Sequence, residues 1–139
     1  MALVAPPAIP VAAGKPDAWV AVERELGTRL PDDYKALVAT YGWGMFDEFL
    51  FVMTPFSRPG ETLVDFGAGS MLEGLRRSRA VGVDFPYPLH PEPGGSLPWG
   101  YTANGDWCYW LTEPPDEPDR WRIVINGSRS DHYWEHPEP

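Results

Sequence analysis

Between Pro86 and Pro98 the chain carries five prolines and the pair Gly94-Gly95. Neither a helix nor an interior strand tolerates that density of residues without a backbone N–H or a Cβ. The stretch reads as a long surface connection dividing the chain into two differently patterned halves. On its N-terminal side apolar residues recur at helical spacing. From Trp99 onward stand five of the seven tryptophans, Trp99, Trp107, Trp110, Trp121 and Trp134, large rings that favour a pleated sheet. The expected fold class is α+β, with short N-terminal helices packed on a mixed, mostly antiparallel sheet. With 139 residues the chain has the size of one domain, expected over residues 16–139 behind a flexible arm of residues 1–15.

That arm is apolar, but it has no basic start, and prolines at 6, 7 and 10 interrupt it, so it does not read as a signal peptide. No apolar run reaches the ~18 to 20 residues a spanning helix requires. The lone Cys108 has no internal partner for a disulfide. A cytoplasmic protein without a membrane partner is expected. Eleven basic against twenty acidic residues give a net charge of −9 and a pI near 4.6, which opposes direct binding to a phosphate backbone. Residues 1–83 hold ten acids and eight bases, net −2, and residues 84–139 hold ten and three, net −7.

The first helix is expected from Pro16 or Asp17 to Leu26, with Trp19, Val22 and Leu26 inward and Gly27 ending it. The second begins at Pro31 and places Tyr34, Leu37, Val38 and Tyr41 on one face before Gly42. Met45 to Met53 reads as one strand, central in the sheet and halted by Pro55. Ser70 and Glu73 match a capping box for a third helix ending in Arg76, Arg77 and Arg79, with Gly67-Ala-Gly-Ser70 as the turn before it. Asn104-Gly105 between Trp99–Thr102 and Trp107–Leu111 signals a hairpin. Trp121–Ile125 and Asp131–Trp134 complete an antiparallel meander.

Three patterns invite a catalytic reading. His132, Glu135 and His136 match the letters H-x-x-E-H of a zinc-protease motif, but their neighbours are strand-like, Pro137 follows at once, and no third ligand is in view. Cys108, between Trp107 and Tyr109, reads as a small buried residue rather than a nucleophile. Gly67 to Ser70 lacks the lysine of a phosphate-cradling loop. No metal, cofactor or catalytic residue is expected. Acids remain in two groups, Asp106, Asp116, Glu117 and Asp119 in the meander and Asp32, Asp33, Asp47 and Glu48 around the second helix. Each alone reads as solvated surface, but together with exposed rings they suit a partner with a basic surface. Trp99, Tyr101 and Trp107 are the candidate anchors, with Trp99 and Tyr101 on one face, and Asp106, Asp116 and Glu117 their charged surroundings.

Trp19-Val-Ala-Val-Glu23, Leu26-Gly27, Leu30-Pro31-Asp32-Asp33-Tyr34-Lys35 and Tyr41-Gly42 resemble the N-terminal signature of the SUKH superfamily, of the Smi/Knr type. Leu97-Pro98-Trp99-Gly100, Asn104-Gly105-Asp106 and Tyr109-Trp110 resemble that family's hairpin, so the resemblance spans residues 17 to 134. The chain departs from it at Glu135-His-Pro-Glu-Pro139, where many members carry a helix. The resemblance implies an intracellular, non-enzymatic binding module without catalytic residues, many bacterial members being immunity proteins that neutralise a cognate toxin. A constitutive scaffold or regulatory binding domain is the alternative, and a small hydrolase a more distant one.

Overall fold

A computed structural model describes residues 5–127 and 132–136. Asp131, expected in the last strand, and residues 137–139 of the divergent C-terminus lie outside the described residues. Helix α1 (Trp19–Leu26) is entered through a 3-10 turn and closed by Gly27, whose φ of 74° lets its N–H return to the Arg24 carbonyl. Helix α2 (Asp32–Tyr41) follows Pro31 directly. The connection is not a passive loop, because Leu30 is fully buried between the two helices and the sheet. Trp19, Leu26, Tyr34 and Val38 are buried as the helical spacing predicts, whereas Leu37 and Tyr41 are only half-buried. Tyr34 meets Trp19 and Trp110 edge-on at 5.9 and 4.9 Å, and its hydroxyl donates to the Met53 carbonyl. The Asp119 carboxylate, far along the chain, accepts the Asp32 N–H at 2.6 Å and so supplies α2 with a cap that its own Pro31 cannot.

Six strands form one antiparallel sheet in sequence order: β1 (Gly44–Phe46), β2 (Leu50–Val52), β3 (Ser96–Thr102), β4 (Trp107–Leu111), β5 (Arg122–Asn126) and β6 (Tyr133–Glu135). The single central strand expected over residues 45–53 is instead a hairpin at the sheet's edge. Asp47 and Glu48, both at φ 52°, reverse the chain, and the Phe49 N–H closes the turn on the Phe46 carbonyl at 3.0 Å. Aspartate is common in a left-handed turn but the glutamate after it is not, which hid the reversal. The Asn104-Gly105 hairpin and the meander through β5 are as expected, but β3 begins at Ser96, inside the proline-rich stretch expected to be an irregular surface connection, and Ser96, Leu97 and Pro98 are buried.

Residues paired across antiparallel strands share a face. Leu97, Trp110 and Ile123 form one such set and, through Tyr34, carry α1 and α2. Pro98, Tyr109 and Val124 form the opposite set. Tyr109 packs there with Leu72, Phe85 and Leu89 from helix α3 (Leu72–Ala80) and the connection after it. Strand β4 is thus buried on both faces, which explains why Trp107 to Leu111 is an unbroken apolar run.

Helix α3 does not begin at a Ser70 cap. It continues a π-helical stretch, Leu63–Met71, whose cap is Thr62: its side chain accepts the Asp65 N–H at 2.9 Å. Gly67, Gly69 and Ser70 therefore lie within a helix, and the wide turn is marked by the Gly67 N–H reaching back to the Thr62 carbonyl at 3.4 Å. A Cβ on Gly67 would stand 2.9 Å from the Pro98 carbonyl oxygen, so the helix lies on β3 at that point. The arm is fastened at its inner end: the Trp43 N–H donates to the Val11 carbonyl at 2.5 Å and the Thr54 hydroxyl to that of Ala12 at 2.7 Å. No helix among the described residues is long and apolar enough to cross a membrane.

Candidate protein-binding surface

Strand register builds the most distinctive surface. Met45, Phe51, Tyr101, Trp107, Asn126 and Tyr133 are successive cross-strand partners, one from each strand, and so form a single row across one face of the sheet. Phe51 stacks on Tyr101 at 4.8 Å and 12°, and Tyr101 meets Trp107 at 5.2 Å. Phe66 of the π-helical stretch covers Trp107 at 5.7 Å, and Phe85 and Tyr87 cover Tyr133. Toward β1 this cover ends. Met45 is 44% exposed, Trp43, two residues before it, 51%, and Phe49 beyond the turn 43%.

Beside this bare end lies a groove in two parts. A 300 Å³ hollow is lined by Trp43, Phe51, Met53, Glu61, Phe66 and Tyr101. A second hollow of 420 Å³ lies beside Val11, Trp43, Phe56, Ser57, Arg58 and Glu61. Trp43 and Glu61 line both parts, so a tryptophan and an acid are common to the two. Asp47 and Glu48 form the tip of the hairpin. The surface is apolar with an acidic margin, and Arg58 is the basic side chain in its lining.

The six residues singled out from sequence do not form one site. Trp99 stacks on Trp110 at 5.9 Å as part of the face under α1 and α2, and its indole N–H is buried with no hydrogen-bond partner among the described residues. Trp99 and Tyr101 were expected to share a face, and they do not. Pro98 pairs with Tyr109 but Gly100 pairs with Cys108, so Trp99 is an extra residue, and this β-bulge sends Tyr101 to the opposite face beside Trp107. Tyr101 lines the groove, and Trp107 is its cross-strand neighbour, with the rings 5.2 Å apart. Asp106 is half-buried in the hairpin turn, where its carboxylate accepts the Thr102 hydroxyl at 3.0 Å and its N–H donates back to that hydroxyl. Asp116 and Glu117 are exposed at the other end of β4, Glu117 paired with Arg120. Sequence reasoning missed Trp43, Met45, Phe49 and Glu61. One signal for them was present: a tryptophan between two glycines, Gly42-Trp43-Gly44, directly after a helix.

The remaining constellations lack the geometry for catalysis that their letters invite. Burial, with a smaller contribution from Asp106, pushes the Cys108 thiol up to about 11, which keeps it from the thiolate state a nucleophile needs. The H-x-x-E-H letters fall on and around the extended β6 rather than on a helix, and Glu135 is taken by Arg122. No group of three metal-ligating side chains occurs among the described residues. A further hollow of 630 Å³ between the α1–α2 connection and the proline-rich segment holds Glu23, Arg24, Arg29, His90, Glu92 and Asp116, an assortment of both signs. His90 serves the fold there: its Nε2 lies 2.9 Å from the Leu26 carbonyl oxygen, and burial lowers its pKa.

The segments that carry the resemblance to the SUKH superfamily form the α1–α2 pair and the β3–β4 hairpin. The sequence profile of the SUKH_6 family, described as SMI1-KNR4 cell-wall, matches residues 16–138. The chain belongs to this family. The match runs from the start of the 3-10 turn before α1 past β6, so the SUKH_6 domain takes in both helical layers and the whole sheet. No curated protein and no solved structure matches the chain.

Proposed function

We propose that the protein is a non-enzymatic protein-binding module of the immunity type, which neutralises a cognate toxin in the cytoplasm by direct contact. One observation carries the reading: three large apolar side chains, Trp43, Met45 and Phe49, stand exposed at the uncovered end of an otherwise packed row of rings. Side chains of this kind contribute most of the energy of protein recognition, and a contiguous exposed patch of them marks an interaction site. Membership of a SUKH family and the net charge of −9 support the same reading, because a basic toxin is drawn toward an acidic binder. Such a protein works by occlusion and needs no cofactor.

Co-expression with a toxin domain identified in a neighbouring reading frame tests the proposal. The protein should restore growth and co-purify with the toxin. Trp43→Ala combined with Phe49→Ala, in a protein with unchanged far-ultraviolet circular dichroism, should lose both effects. Growth arrest that the intact protein does not relieve, with no complex recovered, would refute it.

A further inference from the structure

The bare end of the aromatic row coincides with an open sheet edge. Among the described residues β1 pairs only with β2, so the other side of Gly44–Phe46 presents backbone groups without a strand partner. Val11 closes the approach at Trp43, and the open edge therefore begins at Gly44. Native edges of this kind are blunted by brevity, by lysine, by proline or by cover, and of these β1, at three residues, has brevity. Here the flanking side chains are Trp43, Met45 and Phe49, all exposed.

We infer that β1 receives an extended, basic segment of a partner protein as a seventh strand, with an arginine or lysine of that segment held between the Trp43 ring and the Glu61 carboxylate. This deepens the immunity reading above and rests on it for the partner's identity, but not for its chemistry. Strand addition supplies main-chain hydrogen bonds, and alternate side chains of the added strand reach flanking pockets. Both hollows are lined by Trp43, the residue before β1, and by Glu61, an aromatic residue and an acid of the pairing that holds a cation by ring and by charge. At the far end, about 10 Å along a three-residue strand, the added segment would meet Asp47 and Glu48. Arg58 lines the arm-side hollow together with Trp43 and Glu61 and opposes a cation there, so the cation belongs in the other hollow, which Trp43 and Glu61 also line and Arg58 does not. A second copy of this chain is the poorer occupant. Two molecules of net charge −9 repel each other.

A fluorescein-labelled peptide of alternating arginine and valine, titrated with the whole protein and followed by anisotropy, tests the inference. Saturable binding is expected. It should weaken by about tenfold in Trp43→Ala and in Glu61→Gln, variants at exposed positions whose folding circular dichroism verifies. The same peptide N-methylated at alternate residues keeps its charge but cannot pair with a strand, and it should not bind. Reversing Asp116 and Glu117 to lysine should leave binding nearly unchanged. Equal binding of the N-methylated peptide, insensitivity to Trp43→Ala and Glu61→Gln, equal loss on reversing Asp116 and Glu117, or no binding at all would each overturn strand addition at β1. Growth rescue by co-expression reports on the immunity reading separately: rescue together with a failed peptide titration would retain an immunity protein that binds by another surface.

Discussion

Leu30 shows how much of the core's energetics sits in single side chains that periodicity does not mark. It belongs to no helix, yet it is fully buried, whereas Leu37, on the expected inner face of α2, is half-buried. Removing a buried leucine side chain costs its transfer free energy and leaves a cavity, so Leu30→Ala should destabilise by about 2–5 kcal/mol. Leu37→Ala should cost less than about 2 kcal/mol, because part of that side chain is already in water. Urea denaturation of the two variants checks the order, and a larger loss at Leu37 would reverse the burial described here. Ionisable groups give a second prediction at this scale. Burial raises the Cys108 thiol from its ordinary 9.0 to about 11 and raises the Tyr34 and Tyr109 hydroxyls as well. Folding therefore favours the neutral thiol. Its stabilising contribution is whole below pH 9, where the thiol is neutral in the unfolded chain too, and it is lost as pH rises through about 11. Stability measured by denaturation should fall across that interval, and Cys108→Ala should lessen the fall while the two tyrosines keep part of it. At neutral pH the thiol should resist iodoacetamide until the protein is unfolded.

At the scale of elements, those whose local chemistry agrees with their tertiary role were legible in the sequence. Helix α1 has Gly27 at its end, α2 has Pro31 at its start, and the β3–β4 hairpin has Asn104-Gly105. The errors fall where tertiary structure overrides local signals. The Ser70–Glu73 pattern resembled a cap, but the chain is already helical from Leu63 because Thr62 and Asp65 provide the cap and Leu63 is buried against the core. Glu73 instead pairs with Arg76 and Arg77. The bulge at Trp99 follows Pro98, which has no N–H to give the ladder, and a one-residue shift is enough to move Tyr101 across the sheet and divide the expected site. Two glycines test the helical account. Gly67→Ala sets a methyl group against the Pro98 carbonyl oxygen at 2.9 Å and should destabilise by about 1–3 kcal/mol. Gly74→Ala, within α3 and facing open space, should stabilise by about 0.5–1 kcal/mol. Thermal unfolding that showed the same sign for both would contradict the close approach at Gly67. The β1–β2 turn allows a third test. Asp47 and Glu48 both hold positive φ, where asparagine and glycine suit such a turn better. Asp47→Asn with Glu48→Gly should raise stability by up to about 1 kcal/mol. An unchanged or lowered melting temperature would show that the turn carries no such strain.

For the whole molecule the question is how an acidic surface is distributed, since net charge alone does not select a face. Asp106 directly precedes β4 and Asp116 lies beyond its other end, and the five-residue strand between them is about 17 Å long, more than the screening length of about 8 Å at physiological salt. They do not act as one field there. Asp106 is engaged with Thr102 and Glu117 with Arg120, so the acidic surroundings expected in the meander are partly spent on the fold. Asp119 serves the fold too, as the cap of α2. The Asp47-Glu48 tip is placed differently: it adjoins exposed Phe49 and the open strand, where a charge can guide a partner onto apolar anchors. If the tip steers the encounter with the co-expressed toxin, Asp47→Lys with Glu48→Lys should slow association by about tenfold at low salt. Because screening removes steering, the difference should shrink as salt is raised, and the dissociation rate should change much less. Reversing Asp116 and Glu117 should have a smaller effect on association, since no exposed large apolar side chain among the described residues adjoins them in the chain. Stopped-flow association rates across a salt series separate the two. Equal slowing by both pairs would mean that net charge steers without regard to face, and slowing by Asp116 and Glu117 alone would move the encounter surface from the β1 edge to the loop after β4.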